Sequence, residues 1–197
     1  MIKVAIVGNI ASGKSQVEKI LLNLGYKVAD TDKINHDILN NDINAINEIK
    51  NAFSNDDITD GEKISREKLG KIIFSDKEKK EKLESILHKR IYNEVEEFFN
   101  NNKNEKLVFV SIPLLFETKQ EKTFDKIIFI SADKEIRLKR LIERNNYSEE
   151  YALTRINSQM DEEEKIKKSD YVIKNDSSIE ELEKDIKLVL NNSLLQM

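Results

Sequence analysis

Residues 8–15 read Gly8-Asn9-Ile10-Ala11-Ser12-Gly13-Lys14-Ser15, and this octet constrains the chain more than any other feature. It fits G-x-x-x-x-G-K-[ST], the loop whose backbone N–H groups cradle polyphosphate. The continuous apolar run Val4–Val7 leads into it, as suits a strand buried on both faces of a parallel sheet. An amphipathic helix follows, with Val17, Ile20, Leu21 and Leu24 on one stripe and Gly25 where a C-terminal cap belongs. The chemistry explains the spacing. Gly8 and Gly13 permit backbone approaches that a Cβ would obstruct, and the helix N-terminus adds partial positive charge. Lys14 reaches the β and γ phosphates, and the Ser15 hydroxyl can ligate Mg²⁺. A glycine-containing turn between any strand and helix is the plainer alternative. The four fixed positions falling together between strand and helix favour the phosphate site.

Further short strands are expected at Lys27–Ala29, Leu107–Ile112, Ile127–Ile130 and Tyr171–Ile173, alternating with helices. The pattern predicts an α/β fold with a mostly parallel five-stranded sheet. Between the second and third strands the chain is helical, apart from a loop at 54–64. It includes a long helix over 77–100 with Leu83, Leu87, Ile91, Val95 and Phe98 on one stripe. That stretch is too long for a simple crossover and reads as an inserted helical subdomain. Helices are also expected at Glu135–Arg144, Tyr147–Met160 and Ile179–Leu190.

Composition narrows the function classes. The chain has 197 residues, 39% hydrophobic and 36% charged, with net charge −4. That balance disfavours a nucleic-acid binder. No Cys is present, which excludes disulfides, thiolate metal sites and a Cys nucleophile. No apolar run approaches the ~20 residues of a membrane span, and no signal peptide fits before the first strand. A cytoplasmic protein is expected.

Outside the loop, several groups invite a chemical role. Asp30-Thr31-Asp32 ends the second strand; its carboxylates could orient Mg²⁺ waters or take a hydroxyl proton, or simply cap the next helix. Arg137, Arg140 and Arg144 share a helix face, and Arg155 stands one helix further on. They read either as guanidinium groups closing over a migrating phosphoryl or as a solvated basic face. His88 borders the apolar stripe of the long helix and reads as half-buried. Pro113-Leu114-Leu115-Phe116-Glu117 leaves the sheet where ligands bind, unless its apolar residues merely plug the core.

Taken in order, these residues resemble the dephospho-coenzyme A kinase family over nearly the whole chain. The match runs through the phosphate loop, Leu24-Gly25, Val28–Asp32, Asp60-Gly61, Ser65-Arg66-x-x-Leu69-Gly70 and Leu83-Glu84-x-Ile86-x-His88. It continues through Pro113–Glu117, Arg140-Leu141-x-x-Arg144, Arg155-x-x-x-Gln159-Met160, Lys165 and Asp170–Ile173 with Asn175. Asn9 and Ala11 stand where the family usually has Gly, Gln16 where it has Thr, and Lys89 where it has Pro. The resemblance implies a P-loop kinase that uses ATP and Mg²⁺ to phosphorylate the ribose 3′-hydroxyl of dephospho-coenzyme A. It implies a core at about 1–30, 105–135 and 168–197, a substrate subdomain at about 31–104 and a lid at about 136–167. Asn9, Ile10, Ala11, Ser12, Gly13, Lys14, Ser15, Gln16, Arg140 and Asn175 would bind ATP, with Ser15 on the metal and Asn175 near adenine. Asp30, Asp32, Arg66, His88, Pro113, Leu114, Leu115 and Glu117 would line the acceptor site. Lys14, Asp32 and Arg140 would be catalytic, with Asp32 taking the proton, and Arg137 would lie on the solvated part of its stripe. A monomer that binds neither nucleic acid nor membrane is expected. The loop by itself also allows another small-molecule kinase or a nucleotide-dependent switch.

Overall fold

Strand β1 (Ile2–Gly8) lies at the centre of the sheet because Val4 to Val7 are buried on both faces. In the computed structural model, which describes residues 1–194, β1 is followed by α1 (Lys14–Asn23) and β2 (Lys27–Asp30). Gly25 takes φ 88° just past α1, the left-handed turn expected of a helix end there. Then come α2 (Thr31–Asn41), α3 (Ile43–Ala52), the two-residue strands β3 (Thr59–Asp60) and β4 (Lys63–Ile64), α4 (Arg66–Ser75) and α5 (Lys77–Asn101). The chain returns through β5 (Leu107–Ser111), β6 (Lys126–Ser131), α6 (Lys134–Asn145), α7 (Glu149–Asn157), α8 (Glu162–Lys167), β7 (Tyr171–Lys174) and α9 (Ile179–Val189). A π-helical turn, Leu190–Leu194, closes the described residues.

The chain forms two units, Met1–Ala29 with Asn102–Met197, and Asp30–Asn101. In the first, the strand order is β2-β5-β1-β6-β7, and the ladders β1–β5, β1–β6 and β6–β7 are parallel. Opposite faces of β1 feed separate cores. Val4 and Ile6 join Val17, Leu21, Phe109, Ile130, Leu182 and Ile186; Ala5 and Val7 join Leu115, Phe116 and Phe129. Register follows from this: slipping β1 by one residue would exchange its two apolar sets. Helices α6 to α8, which begin two residues before the 136–167 stretch expected to form a lid and end with it, belong to this unit. Residues 195–197 of the segment expected at 168–197 lie outside the described residues.

The second unit packs α2, α3, α4 and α5 around Ile38, Leu39, Ala45, Ile49, Phe53, Leu69, Leu83, Ile86 and Leu87. Three details differ from the sequence reading. The 54–64 loop contains the antiparallel β3–β4 hairpin, turning at Gly61 with φ 61°. On α5, Phe99 is buried and Phe98 only partly so, because the stripe drifts by a residue over so long a helix. Finally, the helix expected over 147–160 is the shorter α7 followed by a separate α8.

Candidate active site

The phosphate loop leaves β1 at Gly8 and enters α1 through Gly13, whose φ of 97° and ψ of 23° are left-handed. A Cβ on Gly13 would stand 2.0 Å from Asn175 Nδ2, and one on Gly8 would meet Ile130 O and Ser12 Oγ at 2.6 Å each. Ala11 is also left-handed, with φ 61°. Ala11 thus stands where the backbone favours glycine, at a cost of about 1–2 kcal/mol. No side chain caps α1, so none competes with an anion for its first N–H groups.

Lys14 Nζ donates to Gly8 O at 2.8 Å, folded back along the loop. Ser15 and Gln16 are exposed on the first turn of α1. Ser12 Oγ and Arg140 Nη1 are buried without a hydrogen-bond partner. Buried polar atoms are ordinarily paired. Both groups can donate, so an anion such as a nucleotide phosphate is the partner that fits them.

Asn175, directly after β7 and 2% exposed, joins this loop to α6. Its Nδ2 donates to Ser12 O at 2.8 Å and Gln16 Oε1 at 3.3 Å. Its carbonyl accepts from Arg140 Nη2 at 2.9 Å. Beside it, burial pushes the Asp176 carboxyl up, but hydrogen bonds from Lys174 and the Asp133 N–H outweigh this and hold it below the usual range.

The arginines are not equivalent. Arg137 is buried: Nε donates to Ala132 O at 3.0 Å and Nη2 pairs with Glu162 Oε2 at 3.1 Å. This corrects the expectation that Arg137 is solvated. It shares the inner face of α6 with Leu141, and α8 supplies its counter-charge. Arg144 is exposed against Asn145, and Arg155 is exposed on α7. Glu162 also accepts from Asn9 Nδ2 at 2.9 Å and Ser131 Oγ at 2.7 Å, while Gln159 Oε1 accepts the Ile10 N–H at 2.8 Å. The sequence reading assigned Gln159 no role and did not notice Glu162 or Ser131. Asn9 and Glu162 are 153 residues apart, and no periodicity links them.

After β5, Leu115 and Phe116 are buried in the core, whereas Leu114 is 48% exposed. Leu115 and Phe116 thus plug the core, and Leu114 does not. Leu115 has no exposed side chain to offer a ligand. Glu117 pairs with the buried Lys165 of α8 at 2.7 Å.

In the helical unit, Asp30 is the cap of α2, accepting from the N–H groups of Asp32 at 2.9 Å and Lys33 at 3.4 Å. Asp32 is exposed on the first turn. Arg66 is exposed as the first residue of α4. His88 is half-buried on α5, its ring edge-on to Tyr92 with centroids 6.4 Å apart. Among the described residues no group of three or more His, Cys, Asp or Glu could hold a metal. No helix among them is long and apolar enough to cross a membrane.

The model of the dephospho-CoA kinase family matches residues 2–181. A dephospho-CoA kinase from Listeria innocua is 42% identical over 187 residues, which is 93% of this chain and 92% of that protein. The solved dephospho-CoA kinase from Campylobacter jejuni is 36% identical, with TM-score 0.73 over 99% of this chain and 98% of its own. The structure of TT1252 from Thermus thermophilus is 34% identical, with TM-score 0.86 over 98% and 97%. The chain belongs to the dephospho-CoA kinase family.

Proposed function

We propose the following division of labour for the family's reaction, ATP-dependent phosphorylation of the ribose 3′-hydroxyl of dephospho-coenzyme A to give coenzyme A and ADP. The loop Asn9–Gln16 binds the ATP phosphates with its N–H groups and Lys14, which exchanges Gly8 O for a phosphate oxygen. Mg²⁺ would be held by Ser15 and phosphate oxygens, where it neutralises charge on the β and γ groups. Hard-cation chemistry of this kind needs no protein carboxylate cluster.

Arg140 supplies the planar donor fork to the migrating phosphoryl; its anchor on Asn175 O and its unpartnered Nη1 support this role. Asn175 lies near adenine. Asp32 accepts the 3′-hydroxyl proton as the 3′-oxygen bonds to the γ-phosphorus and the bond to the β–γ bridging oxygen breaks. The division of roles between Asp30, already occupied as a cap, and the exposed Asp32 supports that assignment. Asp30, Arg66, His88, Pro113, Leu114 and Glu117, with the backbone of Leu115, line the acceptor site. Residues 31–104 act as the substrate subdomain and 136–167 as the lid. The protein works as a cytoplasmic monomer, and its net charge of −4 supports action on a small molecule rather than on nucleic acid.

The observation that carries this reading is the uncapped α1 N-terminus behind a glycine-closed loop, with a buried unpartnered Arg140 donor in the same unit. Asp32→Asn tests it. The variant should keep its melting temperature and lose about 10²–10⁴-fold in kcat. Unchanged kcat would remove Asp32 from the chemistry.

A further inference from the structure

Helix α8 presents two charges three residues apart, the half-buried Glu162 and the buried Lys165, to different parts of the chain. Lys165 Nζ, on a side chain 2% exposed, pairs with Glu117 at 2.7 Å and fixes the helix against the segment after β5. From that fixed helix the Glu162 carboxylate accepts hydrogen bonds from Asn9 Nδ2 in the phosphate loop and Ser131 Oγ at the end of β6, and it forms an ion pair with Arg137 Nη2 on α6 at 3.1 Å. In the segment between α7 and α8, Gln159 takes the Ile10 N–H. Asn9 and Ile10 are thus both held by residues about 150 positions further along the chain. Arg140, one turn along α6 from Arg137, is carried by the same cluster.

We propose that Glu162 is a positioning residue for phosphoryl transfer: its carboxylate fixes the phosphate loop, through Asn9, against the helix that carries Arg140, through Arg137. The inference rests on the role given above to Arg140 and the loop. All three partners are donors, and only a carboxylate accepts from three donors at once without presenting an N–H of its own. The amide of Gln has the same shape but must turn its NH₂ towards one of them, and it leaves the buried Arg137 without a counter-charge. Asn9 acquires a meaning too. Its side chain, 3% exposed, ties the loop to α8 through its amide. A misplacement near 1 Å of reacting groups is enough to cost about 10²-fold in rate.

The test is a double-mutant cycle of Glu162→Gln and Asn9→Ala, read as kcat at saturating ATP and dephospho-coenzyme A, well below each variant's melting temperature. A positioning role predicts that Glu162→Gln lowers kcat at least tenfold while KM for ATP moves less. It also predicts that Asn9→Ala lowers kcat, and that the double variant falls no further than Glu162→Gln alone. A purely structural ion pair would lower the melting temperature and leave kcat of the folded enzyme unchanged, and that result overturns the proposal. So does a double variant whose kcat loss is the product of the two single losses. If Glu162→Gln does not fold, Asn9→Ala, which leaves the Arg137–Glu162 pair intact, decides: kcat within twofold of wild type overturns the proposal, and a tenfold loss supports it. A wild-type chain inert towards dephospho-coenzyme A would overturn the underlying reading as well, and is distinct from an active wild type matched by its variants.

Discussion

Gly13→Ala places one methyl group where the structure has room for none. The new Cβ would lie 2.0 Å from Asn175 Nδ2 and 3.3 Å from Gln16 Oε1, on a residue held at φ 97°. Left-handed backbone costs an L-residue about 1–2 kcal/mol. Asn175 is 2% exposed, so displacing its amide from Ser12 O breaks a buried 2.8 Å bond. Stranding such a group costs about 1–3 kcal/mol. The smaller unfolded-state entropy of Ala returns about 0.4–1 kcal/mol. The net loss is about 2–4 kcal/mol, or roughly 5–15 °C in melting temperature for a chain of this size. Urea unfolding gives the free energy, and calorimetric ATP titration reports the displaced loop as weakened binding. Asn175→Ala removes the clashing amide, so the double variant should cost about 1–2 kcal/mol less than the sum of the singles. Additive losses, or a Gly13→Ala protein that melts within 2 °C of wild type, would show that the Asn175 amide does not exclude a methyl group at Gly13.

Ala11→Gly relieves left-handed strain at φ 61° and should raise stability by up to about 1 kcal/mol after the entropy cost of glycine; a lower melting temperature would count against it. Arg140→Lys should lower kcat more than ATP affinity, because a point charge cannot reproduce the planar fork; coupled ADP release and calorimetry separate the two. Arg137→Lys should instead lower stability by about 1–3 kcal/mol, since one ammonium cannot satisfy both Ala132 O and Glu162, and denaturant unfolding measures that loss. At the β3–β4 hairpin, hydrogen bonds from Ser65 and then Lys68 hold the Asp60 carboxyl below its usual range. Its contribution is present above the unfolded pKa and is lost as pH falls through the lower folded one. Lys68 is raised by Asp57 and then Asp60, so its contribution is full below its unfolded pKa and disappears as pH rises through the folded one. The protection factor of the Ser65 N–H, which donates to Ile58 O across the hairpin at 2.8 Å, should therefore fall at both extremes, and constant protection down to pH 2 would contradict this.

What could be read in the sequence was what is local. The phosphate loop announces itself because strand, glycines, lysine and helix are contiguous, and Gly25 marks the end of α1 by the same logic. The helices of the second unit follow from apolar periodicity, although long-range drift moved Phe99 inward in place of Phe98. The β3–β4 hairpin was illegible because two residues per strand carry no alternation. Helix α8 was missed for a related reason: Glu162–Lys167 is six residues long, five of them charged, so its single apolar residue, Ile166, carries no periodicity although it packs against the core of Ala5 and Val7. Arg137 was misread because only Glu162, 25 positions on and brought near by the fold, makes its burial affordable. Asp30 and Asp32 were interchangeable as letters. Backbone geometry alone assigned the cap to Asp30.

The central claim is that this chain moves the γ-phosphoryl group of ATP to the 3′-hydroxyl of dephospho-coenzyme A. The most direct measurement incubates the protein with ATP, Mg²⁺ and dephospho-coenzyme A, counts ADP, and locates the new phosphate by proton–phosphorus correlation NMR, beside parallel reactions with other nucleosides and nucleic acid. Transfer to the 3′-hydroxyl gives one ADP per acceptor consumed and a phosphomonoester coupled to the ribose H3′, with no comparable turnover on the other acceptors. ADP released without phosphorylated acceptor, a phosphate at the 2′ position, or faster turnover on another acceptor would contradict it.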